Sequence, residues 1–408
     1  MEFILSNLIA TLQTTTHHLK TTAAPILKST LHDPDSLPNP EIWDLTLTAL
    51  DALSNLRLLL EPGHLILADH FLGYTDTKCL VAAVDLRIPD ALSSGPKTLP
   101  ELASHVGANP LRLRQILLTL VNNGIFEYDR EKYEYENNRV SILLLEGHWT
   151  QWKSWVNVYG NEFYDMARGI PEAVKEGVAR TPAQINYDTD DSMFKYFADR
   201  NWLGKVQEAM SGGAIAQATG ILQDYPWEEI VDMAILDVGG GVGGLVASLL
   251  RRFETMTGGI LDRKDVIDVA KLNFHTEGGQ YADVGGRVPG TSLVAGDFFE
   301  HVPKSEVYVM KWCLHNWNDE KASVILKNIR RSIQKGPKSR LIILESVLKD
   351  GHVGRISRYA DLNMFVAIGG KEREAEEWEK LATETGWNLS RIYPLRNAWP
   401  SAIEFIPN

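Results

Sequence analysis

From residue 231 to 408, short apolar runs alternate with stretches in which apolar residues recur every three or four positions. MAILDV, TGGILD, TSLVAGD, VYVMKW and RLIILES, with a last pair around WNLSRIYPL and SAIEFIP, have the length and β-branched content of buried strands, and the stretches between them have helical spacing. Strand and helix in alternation predict an α/β, doubly wound domain. Its clearest junction is MAILDVGGGVGGLVASLL, residues 233–250. Ile235, Leu236 and Val238 make a central strand, and Leu245, Val246, Leu249 and Leu250 make the apolar face of a helix. Between them Gly239, Gly241 and Gly243 remove each Cβ where a nucleotide would meet backbone N–H groups at a helix N-terminus.

The first 140 residues read as a separate helical domain. Phe3, Ile4, Leu5, Leu8, Ile9 and Leu12 share one helix face before any core has been supplied, so a partner subunit is the expected cover; plain core packing is the other reading. After a loop at residues 32–40, the pattern repeats over 41–60 through Trp43, Leu45, Leu47, Leu50, Leu53, Leu56 and Leu60. Residues 98–140 predict a winged helix, with TLPELASHVG and NPLRLRQILLTLVNNG as helices and FEYDREKYEYENNRV as the wing. That order is also a DNA-binding order. Yet the second helix offers only Arg112 and Arg114, and the wing carries Glu127, Asp129, Glu131, Glu134 and Glu136, so we expect dimerisation here and no nucleic acid. Residues 141–230 form a helical segment rich in aromatics, from Trp149, Trp152 and Trp155 to Trp202, suited to wall a small apolar or aromatic substrate, with His148 at its head as a polar anchor. The expected domains are 1–140, 141–230 and 231–408.

Composition narrows the partners. A chain of 408 residues, 44% hydrophobic, can bury a large core, and a net charge of −12 argues against general nucleic-acid binding and against an anionic membrane surface. With only Cys79 and Cys313, neither a disulfide framework nor a cysteine metal cluster is indicated, no metal is expected, and the cytoplasmic compartment is the natural reading. In MEFILSNLIATLQ, Glu2 stands where a signal peptide has basic residues, and Ser6 and Asn7 interrupt the apolar run. No stretch approaches the ~20 apolar residues of a membrane span.

Gly239, Gly241 and Gly244 satisfy the dinucleotide spacing G-x-G-x-x-G, a weak signal alone. Asp237 extends it to D-x-G-x-G-x-G, the form seen in class I S-adenosylmethionine (SAM) enzymes, and Asp262, ending the next strand, is placed to accept both ribose hydroxyls. Asp297 and Phe298, after the third strand, suit an adenine amine and ring face. Lys311, near the end of the strand VYVMKW, and His315, just after it, stand at the end of the sheet where α/β folds hold ligands. His315 has the pKa range of a general base near neutral pH, and Glu345 and Glu372 are carboxylates that can orient it.

With these residues in place, the sequence resembles the plant and fungal small-molecule O-methyltransferases typified by caffeic acid O-methyltransferase. The resemblance covers most of the chain and rests on LDVGGGVGG, ILDRKDVI, AGDFFEHVPK, MKWCLHNWNDE, LIILES and GGKEREAEEW. It implies a C-terminal class I SAM-binding Rossmann-like domain, an N-terminal dimerisation domain and a homodimer. It also implies that His315 is the base, that Glu345 and Glu372 flank it, and that Asp262, Asp297, Phe298 and Lys311 contact SAM. Two departures are His315-Asn316-Trp317 in place of HDW and Asp262-Arg263-Lys264 in place of D-L-P. A narrower resemblance, carried by GHWTQWKSWVNVYGNEFYDMARGIPEAVKEG and AIAQATGILQDYPWEE, is to the fungal branch of SAM-binding pericyclases that includes the leporin cyclase and the Alder-ene and hetero-Diels-Alder enzymes. It implies a substrate-binding role for His148 and a site role for Thr219. On that middle segment a pericyclase is the expected activity. Methyl transfer with His315 as base is the alternative, and a non-catalytic SAM-binding or DNA-associated protein the third reading.

Overall fold

The computed structural model describes residues 1–33 and 36–408; Pro34 and Asp35, in the expected 32–40 loop, lie outside the described residues. The chain divides after Leu59 into the units Met1–Leu59 and Leu60–Asn408. Helices Glu2–Lys20 and Pro40–Leu60 appear where the apolar spacing predicts them, a short helix Ala24–Thr30 lies between them, and none of the three has a buried residue. Phe3, Ile4, Ile9 and Leu12 are exposed, and Leu5 and Leu8 half-buried.

In the second unit, helices Gly63–Leu72, Tyr74–Asp85 and Ile88–Ala91 lead into the winged helix. Helix Leu99–Val106 starts at a capping box between Thr98 and Glu101 and stops at Gly107, whose φ of +68° suits a residue without Cβ. Helix Pro110–Asn122 is capped by the Asn109 side chain, with proline at its first position. The wing is a three-stranded antiparallel sheet of β1 (Lys97–Thr98), β2 (Phe126–Asp129) and β3 (Glu134–Asn137), in the order β1-β3-β2. Leu102, Leu113, Leu117 and Leu120 bury against Ile88, Phe126 and Tyr135, each contributing about 1.5–3 kcal/mol by leaving water.

The aromatic segment forms a helical layer from Trp152 to Asp224. Its long helix, Leu203–Asp224, admits the Trp155 indole because Gly213 has no side chain: a Cβ there would stand 2.3 Å from the ring. Trp155, Phe163, Met166, Tyr196 and Phe197 build this core, with Trp312 and Phe365 packed against it.

All seven predicted C-terminal strands form, in one sheet: β4 (Ala234–Val238), β5 (Thr257–Asp262), β6 (Leu293–Ala295), β7 (Val307–Lys311), β8 (Arg340–Glu345), β9 (Trp387–Pro394) and β10 (Ser401–Pro407). Their order is β6-β5-β4-β7-β8-β10-β9, parallel except where β10 pairs antiparallel with β8 and β9. Successive side chains alternate faces as a pleat requires: Ile235, Ile342 and Leu344 join one core, and Leu236, Leu341 and Ile343 the other. The order reverses between β4 and β7, so the loops leaving those two strands flank a crevice at their C-terminal ends.

One glycine of the β4 loop is required by the packing whatever the loop binds. Gly243 (φ +98°) turns its missing Cβ toward Phe274, 2.3 Å away, and Ile260, 3.0 Å away. Gly243→Ala is therefore expected to lower stability by about 3 kcal/mol, from overpacking and a left-handed backbone together, as a drop in the thermal midpoint of the ligand-free protein.

Candidate active site

The β4 loop gives each glycine a different task. A Cβ on Gly239 (φ +75°) would stand 2.9 Å from Cys313 Sγ and 3.8 Å from the Phe298 ring. Gly241 (φ +58°) faces open space, with nothing within 4 Å. Beneath the loop, the Asp237 carboxyl sits 2.7–2.8 Å from where a Gly240 Cβ would be, and burial pushes it up to about 7 although Lys311 pulls it down. Its Oδ1 is buried without a hydrogen-bond partner. An open approach over Gly241 and an orphaned carboxyl oxygen fit a ligand that carries polar hydrogens.

The next strand ends close it in. Asp262 ties β5 to the loop, its Oδ2 accepting the Gly241 N–H at 2.8 Å and its Oδ1 the Arg263 N–H at 2.7 Å. Asp297 Oδ1 accepts the Phe299 N–H at 2.8 Å in a tight turn. That turn sets Phe298 beside Gly239, against Phe299 and Trp317. Lys311, at the end of β7, has its Nζ 4.2 Å above the Trp312 ring. Burial lowers its pKa, while Asp237 and Glu345 oppose the change.

The candidate base is built on the turn after β7. Trp312 takes φ +50°, a left-handed conformation that costs a bulky side chain about 1–2 kcal/mol and redirects the chain into the short turn Leu314–Asn316. Glu345, fully buried at the end of β8, caps that turn: its Oε1 accepts N–H groups from Cys313 at 2.8 Å and Leu314 at 2.9 Å. Its Oε2 lies 3.1 Å from His315 Nδ1, and Glu372 Oε1 lies 2.8 Å from the same nitrogen. Ionised carboxylates only accept, so Nδ1 carries the hydrogen and, in the neutral ring, the lone pair is on Nε2. Burial alone would lower His315, but the Glu345 charge and the Glu372 hydrogen bond outweigh it and raise the pKa. Burial is also the main cause pushing Glu372 up, with His315 acting against it. The three side chains lie within 4.8 Å of one another, a spacing that a metal ion could use. Here the backbone N–H groups engage Glu345, and Nδ1 faces both acids as a donor, the arrangement of a supported base.

His148 stands apart from this group. Its Nδ1 is 2.7 Å from Thr150 Oγ1 and accepts the Thr150 N–H at 3.3 Å, so the ring hydrogen is on Nε2; burial lowers its pKa and keeps the ring neutral. Thr219 is half-buried on helix Leu203–Asp224. The bridge from this segment to the base is aromatic. Trp155 stacks on Tyr159 at 5.2 Å and meets Trp399 at 5.0 Å and Trp312 at 6.4 Å edge-on, and Tyr159 lies close enough to Glu372 for that charge to add to the effect of burial in raising its pKa. Trp312 and Trp399 were not singled out by the sequence, where each is an aromatic beside a strand. Arg373, fully buried behind the His315 turn, carried no signal beyond its place in GGKERE.

The same architecture recurs among known proteins. A family profile for an O-methyltransferase domain matches residues 149–388, and one for an O-methyltransferase dimerisation domain matches 68–147. The chain belongs to the O-methyltransferase family. Its cofactor is SAM. The O-methyltransferase aclM of Aspergillus oryzae is 50% identical over 97% of this chain and 92% of its own length. The O-methyltransferase gliM of Aspergillus fumigatus is 44% identical over 93% and 88%. Among solved structures, CalO1, a methyltransferase of calicheamicin biosynthesis in its S-adenosylhomocysteine-bound form, superposes with a TM-score of 0.73 at 27% identity, covering 85% of this chain and 98% of that one.

Three outcomes follow from this geometry, for Gly241→Ala, for the wild-type pH profile and for Glu345→Gln. Gly241→Ala, facing open space, should change stability by only about 1 kcal/mol, the cost of its left-handed backbone, while SAM affinity measured by calorimetry falls at least about tenfold. Because base action needs the neutral ring and two acids favour the charged one, the acid limb of kcat/KM should lie above the ordinary histidine value of about 6.5. Glu345→Gln removes a negative charge that holds the proton, so the limb should move to lower pH. Its rate should also fall, because an amide NH2 facing Nδ1 drives the ring hydrogen to Nε2.

Proposed function

We propose that this chain is a SAM-dependent O-methyltransferase acting on a hydroxyl of a secondary metabolite, with His315 as general base. The observation that carries the reading is the pair of buried carboxylates on Nδ1 of His315, which leaves Nε2 to receive a proton. Asp237, Gly239, Gly241, Asp262, Asp297, Phe298 and Lys311 are the groups we assign to the cofactor, which when bound supplies an electrophilic methyl group. Nε2 takes the proton of the substrate hydroxyl, and Glu345 and Glu372 stabilise the imidazolium that results. Trp155, Tyr159, Trp312 and Trp399 exclude water and hold a flat or apolar substrate. The relatives named above as O-methyltransferases support methyl transfer over the cyclisation that the middle segment suggested.

Cyclisation stays as a second reading on one observation: neutral His148 presents an Nε2–H donor beside the aromatic layer, as polarising a substrate carbonyl requires. Thr219 would assist it there. A pericyclic step has no use for a supported base.

The two readings part in one tube. The purified protein given SAM and phenolic or hydroxylated metabolites should release one S-adenosylhomocysteine for each product. His315→Ala should cost about 100-fold or more in kcat, and His148→Ala should act mainly on KM. Product formed without S-adenosylhomocysteine would establish cyclisation and sink methyl transfer.

The dimerisation domain and the uncovered apolar face of helix Glu2–Lys20 also support a homodimer, in a soluble cytoplasmic enzyme. The intact chain should sediment as a dimer at micromolar concentration, and deletion of residues 2–20 should shift it toward monomer.

A further inference from the structure

His315 is held from behind as well as from the front. Residues 369–374 run along its turn: Lys371 N–H donates to the His315 carbonyl at 2.9 Å, and Gly370 comes so close that a Cβ would stand 2.0 Å from that oxygen. Arg373 completes the clasp. Its guanidinium, fully buried over the Trp378 ring, donates to the Trp317 carbonyl at 2.8 Å, the Leu314 carbonyl at 3.5 Å and Asp319 Oδ1 at 2.9 Å. A buried guanidinium needs such partners, and here two of the three are carbonyls of the turn that carries the base.

We propose that Arg373 is a positioning residue for His315, fixing the Leu314–Trp317 turn and setting a positive charge behind the imidazole against the two carboxylates in front. The proposal rests on the reading of His315 as the base. Other charged groups act on the same centre: Glu345 from β8, Glu372 and Lys371 from the clasp, Asp361 of helix Arg355–Ile368 through its bond to the Glu372 N–H, and Asp319 from helix Asp319–Ser332. Lys311 at the end of β7 and Tyr159 lie toward Glu345 and Glu372 respectively. Within that set, Arg373 is the cation acting directly against protonation of His315. With carboxylates alone the ring would hold its proton too firmly to take another at neutral pH, and without the clasp Nε2 would lose its aim.

The test reads the imidazole itself. Full-length protein labelled with 13C-histidine and saturated with S-adenosylhomocysteine is titrated by NMR, the His315 resonance being the one missing from His315→Gln. Arg373→Met should move its titration upward by about half to one pH unit, since an opposing charge is gone. Asp319→Asn, at an exposed carboxylate, should move it downward, since the guanidinium is then less neutralised. Arg373→Lys should titrate near the wild type yet lose about tenfold in kcat, because an ammonium cannot bond both carbonyls. A titration unmoved in Arg373→Met and Asp319→Asn, or moved downward in Arg373→Met, overturns the proposal; if Arg373→Met does not fold, the Asp319→Asn and Arg373→Lys titrations decide. No substrate enters the titration, so a protein that releases no S-adenosylhomocysteine in turnover overturns the base reading while this measurement still judges Arg373.

Discussion

A neutral imidazole carries one ring hydrogen, and two buried carboxylates against Nδ1 decide where that hydrogen resides on His315. Most of the surrounding structure serves that choice. Glu345 would be an expensive group to bury alone; it is stabilised by Cys313 and Leu314 N–H groups, which at the same time bend the chain so that the imidazole returns toward it. Glu372 arrives from a different segment, held by Asp361 through its own backbone N–H. His315 is therefore held by two segments later in the sequence, 30 and 57 residues away, and neither support alone determines its orientation.

The sheet order makes this convergence possible. β4 and β7 are neighbours at the reversal, so the glycine loop after one and the His315 turn after the other open on the same crevice, and β8 places Glu345 one strand farther along. Cys313 against Gly239 is the seam between the two loops: the thiol of the His315 turn fills the space that a side chain on the glycine loop would need. A substitution at Gly239 would disturb both sides at once. At Gly243 the same absence of a side chain serves the packing of Phe274, although the two glycines look alike in sequence.

Local pattern made the sheet legible. Every C-terminal strand follows an apolar run of the right length, and the winged helix follows its capping residues, because these depend on neighbours a few positions apart. The acids at strand ends were legible too, as were Lys311 and His315, since a strand's C-terminal end fixes where its next residue lies. What could not be read depends on distant chain. Trp312 acquires its importance from a left-handed backbone and from Trp155 packed across from it, and Arg373 from carbonyls more than fifty residues earlier. The division after Leu59 has no local signal for a related reason: helices with no buried residue have the same apolar periodicity as helices that pack.

The choice between methyl transfer and cyclisation illustrates how far a fold constrains chemistry. An aromatic layer and a neutral donor such as His148 suit either reaction, because both need a held, desolvated substrate. The base is different in kind. Two carboxylates buried at the end of β8 and beside it, with Glu372 Oε2 lacking a hydrogen-bond partner, carry a desolvation cost that packing alone does not offset. That cost is intelligible where an imidazolium forms during turnover and draws on both charges at that moment. In a reaction that moves no proton, apolar residues of similar volume would hold the same turn at lower cost. The charged arrangement, together with a buried arginine set against it, is what favours the proposed proton removal from a hydroxyl over cyclisation at this site.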